Sequence, residues 1–205
     1  MSNSNLKANH AETTRAQLVK QARKLFAKKG YSHVAMEEIV ERAGMTRGAL
    51  YHHFKAGKQE LFLAVFETLE AELAEKLATS SPGGANVWTR FLAGCEAFLD
   101  ACMEAEVRQI ALIDAPAVLG WPTWRAIDRK YGFGLLCTGI QTLMEVGEID
   151  RQPVEPLAHL VLGALCEAAL VIGNASDVRT TRTLSGQALR QLLEGLRVRA
   201  KTGDS

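Results

Sequence analysis

The chain has 205 residues, of which 47% are apolar and 23% are charged, a balance typical of a globular protein that buries a sizeable core. Its first residues are polar, which argues against a secretory signal. Its longest apolar run, 160–172, contains Glu167 and is shorter than the roughly 20 residues of a membrane span. We therefore predict a cytoplasmic protein.

The net charge of +1 conceals an uneven distribution along the chain. Residues 1–60 contain 11 Lys and Arg against 5 Asp and Glu, whereas residues 61–205 contain 13 against 18. A basic segment followed by an acidic remainder favours a polyanionic partner for the first third of the protein. The competing interpretation is a solvated basic helix face without such a partner.

Apolar residues recur at intervals of three and four, so we predict an all-α protein of about nine helices. Residues 1–11 are predicted as a disordered arm. The first four helices are predicted at 12–29, 36–43, 47–54 and 57–79. Gly30 is expected to end the first of them, because glycine readily adopts the left-handed conformation that follows helix C-termini.

Residues 80–84 form a break, and five further helices are predicted after it. Their ranges are 87–102, 106–115, 121–147, 153–172 and 177–199. Pro116 is expected to end the sixth helix, since proline inside a helix removes a hydrogen bond. The seventh predicted helix contains Gly132, Gly134 and Gly139. In a helix interior each glycine lowers helix stability by about 1 kcal/mol relative to alanine. They indicate close helix packing, a kink or space for a ligand.

A helix-turn-helix pattern extends over residues 36–58 and continues directly into a longer helical domain. Its two short helices flank a tight turn at Gly44, where glycine accepts a positive φ without steric cost. Thr46 is well placed to cap the third predicted helix, 47–54, with its hydroxyl. Apolar residues such as Ile39 and Leu50 supply the inward faces.

The outward face of the third helix carries the residues expected to contact DNA, because an α-helix fits the major groove. Arg47 can pair with a guanine edge or with a phosphate, and Gly48 lets the helix backbone approach. Lys58 adds its charge to the positive end of the fourth helix. The predicted DNA-contacting residues are Thr46, Arg47, Gly48, Tyr51, His52 and Lys58, with His53 as an alternative to His52.

Residues 12–66 resemble the DNA-binding domain of the TetR family of bacterial regulators, through the ordered blocks 25–31, 39–54 and 58–61. The resemblance implies a three-helix DNA-binding domain over 12–58 and a helical bundle over 59–205 for ligand binding and dimerisation. It also implies a homodimeric repressor that leaves a near-palindromic operator when a small, largely apolar effector binds.

The sequence departs from the family pattern just before the second helix, where the family usually has a hydroxyl residue. This chain has Ala35, so half of a capping box with Glu38 is missing. Replacing a hydroxyl cap by alanine typically costs about 0.5–2 kcal/mol. Ser32 or His33 are the candidates to compensate.

Helices five to nine are expected to hold the effector, because sites for small ligands are mostly apolar with a few polar anchors. An aromatic stripe at helical spacing is nevertheless more often plain core. Asp114 follows an apolar run, so it either anchors a ligand or pairs with a helix end. The candidate effector residues are Trp88, Phe91, Cys95, Phe98, Asp114, Trp121, Trp124, His159 and Glu167.

The eighth predicted helix is apolar almost all round, and one buried face accounts for only half of that surface. The ninth offers a complementary apolar stripe. We therefore predict a symmetric four-helix dimer interface built from these two helices. Two recognition helices would then address half-sites roughly 34–36 Å apart, or a multiple of that distance.

The four cysteines form no CxxC pair and have no histidine at a metal-ligand spacing, so we expect buried thiols and no metal site. A redox sensor is the alternative, and it requires an exposed thiolate of low pKa. We find no GxSxG, P-loop or HExxH motif and predict neither a catalytic residue nor a cofactor. A small-molecule-binding protein without DNA affinity is the remaining alternative.

Overall fold

The computed structural model describes residues 3–80 and 83–198 of the chain. Within these ranges the regular structure is helical apart from one isolated β-bridge, which confirms the predicted all-α class. Residues 108–114 form a π-helical segment. The α-helices are α1 (Asn3–Lys29), α2 (Met36–Ala43), α3 (Arg47–His53), α4 (Lys58–Thr79), α5 (Val87–Cys102), α6 (Ala105–Val107), α7 (Ala115–Leu119), α8 (Trp121–Lys130), α9 (Gly132–Glu145), α10 (Val154–Gly173) and α11 (Val178–Glu194).

The described residues fold into two compact units. The first takes its residues from 1–71 and 105–127, and the second from 72–104 and 128–205. This division differs from the predicted one, which separated 12–58 from 59–205. The difference arises because α4 belongs to the first unit as far as Ala71, and because the segment 105–127 folds with the N-terminal helices.

The first helix is longer than predicted, since α1 begins at Asn3 and includes most of the segment 1–11 predicted as a disordered arm. This segment contains neither glycine nor proline, and its Leu, Lys and Ala residues favour helix. Residues 1 and 2 of the predicted arm lie outside the described residues. At the other end, Gly30 has φ 75°, as its predicted role at the end of the helix requires.

Pro116 does not end a helix, contrary to the prediction. Helical structure continues from Ala105 to Leu119 through the π-helical segment, and Pro116 occupies the first turn of α7. Pro116 has no N–H to donate, and it lies where the π-helical segment ends and α7 begins, so the hydrogen-bonding pattern changes at this point. π-Helical turns are rare and often occur at functional sites.

The seventh predicted helix, 121–147, is two helices in the structure. The chain breaks at Tyr131, whose φ and ψ are −117° and −98°, and α9 starts at Gly132. A Cβ on Gly134 would lie 2.7 Å from the carbonyl oxygen of Arg129, so the break requires glycine at this position. A Cβ on Gly139 would lie 2.9 Å from Cδ2 of Phe91, which indicates close packing of α9 against α5.

The last helix ends at Glu194 instead of continuing to residue 199, which lies outside the described residues. Beyond it, Arg197 forms a β-bridge with Ile149 and an ion pair of 2.7 Å with Glu148. Its guanidinium also lies 5.0 Å from the ring centroid of Trp88. These tertiary contacts hold the chain after α11 in a non-helical conformation.

In length and composition, α10 qualifies as a membrane span, and no other helix among the described residues does. Its apolar character begins at Val154, ahead of the run 160–172 considered in the sequence. The core helix of a soluble protein satisfies the same criteria, and seven residues of α10 are buried in the second unit.

Candidate functional site

The turn between α2 and α3 has the conformation that its sequence predicts. Gly44 adopts φ 64° and ψ 33°, and its N–H donates to carbonyl oxygens at the end of α2. The Oγ1 atom of Thr46 accepts a hydrogen bond of 3.2 Å from the N–H of Ala49, which confirms the predicted N-cap. Ile39 and Leu50 are both fully buried, so the outer face of α3 is directed away from the core.

The start of α2 lacks a side-chain cap, as Ala35 predicts. Neither proposed substitute provides one, because the hydroxyl of Ser32 contacts His33, and His33 contacts the carbonyl oxygen of Lys29. Glu38 forms an ion pair of 2.7 Å with Lys29 instead of completing a capping box. The hydrogen bond from Lys29 lowers the pKa of Glu38 and keeps this carboxyl ionised.

The predicted DNA-contacting residues of α3 lie on one exposed surface. Thr46, Arg47, Gly48 and His52 are exposed, and Tyr51 retains 40% of its accessible surface. A Cβ on Gly48 would have Thr46 Oγ1 as its nearest neighbour, at 3.9 Å, and Gly48 does not have a positive φ. Neither packing nor backbone conformation in the free protein therefore explains glycine at this position.

Arg47 is held by two neighbours on this surface. Its Nη1 atom lies 3.2 Å from the carboxyl group of Glu37 on α2. Its guanidinium lies 5.8 Å from the ring centroid of Tyr51, one turn further along α3. The hydrogen bond with Tyr51 and the charge of Glu37 raise the pKa of Arg47, so this arginine stays charged.

Lys58 lies at the start of α4, half-buried beside the turn that follows α1. Its ammonium is 4.2 Å from the ring centroid of Tyr31. Burial lowers the pKa of Lys58, while the charge of Asp114 opposes this shift. Asp114 also accepts a hydrogen bond of 2.8 Å from the N–H of Tyr31. The position of Lys58 thus depends on two residues that sequence reasoning did not connect with it.

The structure divides the predicted effector residues between the two units. Asp114, Trp121 and Trp124 belong to the first unit, where the guanidinium of Arg125 lies 4.5 Å from both tryptophan rings. Asp114 holds the turn after α1, which is the helix-end role left open by the sequence. Sequence periodicity assigns residues to helix faces but does not reveal to which unit each helix belongs.

The other effector candidates belong to the second unit. On α5, Trp88 and Cys95 are buried and Phe91 and Phe98 are half-buried, and the indole N–H of Trp88 donates to Glu194 over 2.8 Å. His159 and Glu167 are exposed on α10. The ring of His159 stacks on Phe133 with centroids 4.4 Å apart. Of this set, Phe91 and Phe98 are the aromatic residues that are partly accessible.

Cys95 lacks the properties of a redox sensor, because only 5% of its surface is accessible and burial raises its pKa to about 12. A raised pKa keeps the thiol protonated, and the thiolate is the reactive form. We therefore expect Cys95 to resist alkylation by iodoacetamide at pH 8 in the folded protein and to react in denaturant. Peptide mass spectrometry would measure the modified fraction, and rapid labelling of folded Cys95 would contradict the expectation.

Sequence reasoning missed Glu37 and Tyr31. The negative charge of Glu37 in the first turn of α2 is explained well enough by the helix dipole, so its sequence position does not indicate a contact with α3. Tyr31 follows the Gly30 turn, and its neighbours Phe26 and Phe62 are 5.6 Å and 5.1 Å away between ring centroids. The signal that was available for Tyr31 is an aromatic residue placed directly after a helix-ending glycine.

Comparisons with known proteins match both units. Residues 18–65 match the profile described as "Bacterial regulatory proteins, tetR family", and residues 88–196 match "Tetracyclin repressor-like, C-terminal domain". A solved TetR-family transcriptional regulator from Pectobacterium atrosepticum is 34% identical, with a TM-score of 0.78, covering 98% of this chain and all of that one.

The chain is also similar to two curated proteins, one over most of its length and one over a shorter segment. The Transposon Tn10 TetC protein of Escherichia coli is 26% identical over 178 residues, which cover 87% of this chain and 89% of the relative. The HTH-type transcriptional regulator TtgR of Pseudomonas putida is 41% identical over 71 residues, which cover 35% of this chain and 33% of the relative. The stronger identity therefore falls in a shorter segment.

Proposed function

The chain belongs to the TetR family of helix-turn-helix transcriptional regulators, and from this premise we propose that it is a cytoplasmic, homodimeric repressor released from a near-palindromic operator by a small, largely apolar effector. Its relatives are regulators of transcription and not enzymes. The observation that carries the proposal is the surface of α3, where Arg47, Gly48, Tyr51 and His52 are exposed while Leu50 is fully buried.

The chemistry of this surface fits a DNA groove. Arg47 offers a forked set of donors, Tyr51 a hydroxyl group, and Gly48 a place without a side chain where a sugar-phosphate backbone can approach. Lys58 adds a positive charge at the start of α4, where the helix dipole also favours an anion. Because Ala35 offers no hydroxyl, we assign the phosphate contacts to Tyr51 and Lys58.

Dimerisation is proposed through α10 and α11. Large apolar side chains are exposed on both helices, with 73% of Leu160, 48% of Val171, 59% of Leu184 and 55% of Leu192 accessible. Exposed apolar surface of this kind marks interaction sites on soluble proteins. A two-fold axis would place the same surface of a second copy against it and bury all four side chains.

We place the effector in the second unit, against the accessible parts of Phe91 and Phe98 on α5. Aromatic side chains in a ligand site favour a largely apolar ligand. The helix α4 contributes residues to both units, so a displacement of α4 is the simplest route from ligand to recognition helix. A coupling of about 1–3 kcal/mol, typical of allosteric proteins, would reduce operator affinity by about 5- to 150-fold.

The direct test is selection of an operator from a random duplex library by the purified protein, followed by binding measurements over a range of salt concentrations. We expect enrichment of a near-palindromic sequence and affinity that decreases steeply with salt. Native mass spectrometry of the same preparation would reveal a co-purified effector. If the protein enriched no sequence even at low salt, the proposal that it binds an operator would be wrong.

Lys58→Ala is expected to lower operator affinity about tenfold and to reduce the salt slope by about one per subunit, because each lysine that binds a phosphate releases a counterion from the DNA. Lys55→Ala removes the same charge three residues away, from an exposed position before α4, and serves as the matched control. An equal decrease in affinity for the two variants would mean that Lys58 contributes only its general charge.

A further inference from the structure

Glu37 occupies an unusual place on the proposed DNA-binding surface. Its side chain is 64% exposed, and it belongs to α2, whereas its partner Arg47 is the first residue of α3. A carboxylate on such a surface repels phosphate and lowers affinity for any DNA sequence. Its effect on stability is also small, since exposed ion pairs typically contribute about 0–1 kcal/mol. The helix dipole accounts for an acidic residue in the first turn of α2, but it does not account for the contact that Glu37 makes with Arg47 on α3.

The ion pair restricts the orientation of a side chain that is otherwise flexible. A free arginine carries about 2 kcal/mol of rotamer entropy, part of which disappears whenever the side chain is fixed. Glu37 contacts Nη1 at 3.2 Å, and Tyr51 lies beside the same guanidinium. An arginine held at two sides before binding loses less entropy when it meets its target.

The geometry also separates the two targets that the sequence leaves open for Arg47. A phosphate approaching this guanidinium would meet the negative charge of Glu37, which is 3.2 Å from Nη1. A guanine edge presents two neutral acceptors, O6 and N7, and avoids most of this repulsion. The guanidinium has five donors, so a pair with Glu37 is compatible with a two-donor contact to guanine.

We propose that Glu37 is a positioning residue that directs Arg47 to a guanine edge and thereby sets the sequence preference of the recognition helix. This inference rests on the proposed function, because it requires that α3 meets DNA. It assigns the acidic residue to specificity and assigns general affinity to the lysine and the tyrosine. If Arg47 bound a phosphate instead, removal of the negative charge of Glu37 would strengthen its contact with DNA.

The test uses the full-length protein and a library of random 30-base-pair duplexes. The wild type, Glu37→Gln, Arg47→Lys and Glu41→Gln each select their preferred duplexes from this library in parallel. Arg47→Lys keeps the charge but loses the fork, so it identifies the base pair that Arg47 reads. We expect Glu37→Gln to lower the preference for guanine at that same position by about tenfold, within the range of a bidentate contact. Affinity for non-specific DNA should stay equal or increase.

The control variant Glu41→Gln removes one negative charge from the same helix, four residues further along. It is expected to raise affinity for all sequences alike and to leave the guanine preference unchanged. The double variant Glu37→Gln/Arg47→Lys should discriminate no less than Arg47→Lys alone, because the two residues act as one unit. Thermal midpoints should agree across the set, since both glutamates are exposed.

Two results would overturn the proposal. One is an unchanged guanine preference in Glu37→Gln, and the other is a uniform change that matches Glu41→Gln at every position. Failure of the wild type to enrich any duplex would refute the proposed function instead, so the two failures are distinct. If Arg47→Lys altered affinity and salt slope without altering any base preference, Arg47 would be a phosphate contact and the role of Glu37 would be wrong.

Discussion

Leu160→Arg is expected to separate the dimer and to lower operator affinity by about 100-fold or more, because two linked recognition helices bind far more tightly than one. Leu160 is the most exposed large apolar residue among those described, at 73%. In the proposed dimer its side chain is buried against a second copy. A guanidinium at that position would be removed from water twice, once in each subunit.

Sedimentation or light scattering gives the mass of the variant, and binding to the selected operator gives its affinity. Val146→Arg is the matched control, since Val146 is 54% exposed at the end of α9 and lies outside α10 and α11. We expect the control to remain dimeric and to bind the operator like the wild type. Dissociation of both variants would indicate a different or larger interface, and a dimeric Leu160→Arg would exclude α10 as its centre.

The helix-turn-helix could be predicted almost residue by residue because its signals are local. Gly44 is required by a left-handed turn, and Thr46 is required by the N–H groups at the start of α3. Each of these needs only neighbours within four residues along the chain. The missing cap at Ala35 was predictable for the same reason.

Features that depend on distant partners were not predictable. Pro116 was expected to stop a helix, and no local pattern indicates that a π-helical segment precedes it. Asp114 has an ambiguous position in an apolar run, and its role emerges only from the fold, which brings the N–H of Tyr31 to 2.8 Å. Periodicity identifies the buried face of a helix but carries no information about the residue that covers it.

The exposed side of α10 illustrates the same limit in another form. His159 and Glu167 were predicted to anchor an effector because they are polar residues in an apolar helix. The structure places both on its exposed side, together with Leu160. A helix that is apolar almost all round has two apolar surfaces, and its sequence does not state which of them faces the core.

Phe62→Ala is expected to remove about 3–5 kcal/mol from the free energy of unfolding, the usual cost of deleting a fully buried aromatic ring. Phe62 has no accessible surface. Its ring makes edge contacts with Phe26 at 5.2 Å and with Tyr31 at 5.1 Å between centroids. For a unit of this size, the destabilisation corresponds to a fall of about 10 °C or more in the unfolding midpoint.

The conservative variant Phe62→Leu keeps most of the volume and should be destabilised less than half as much. Circular dichroism gives the midpoints, and operator binding at 10 °C tests the variants while both are folded. Because Phe62 supports Tyr31, and Tyr31 lies beneath the ammonium of Lys58, we expect folded Phe62→Ala to bind the operator more weakly than Phe62→Leu. Equal affinity of the folded variants would show that Lys58 reaches its phosphate without this aromatic support, and would leave Asp114 as the group that positions it.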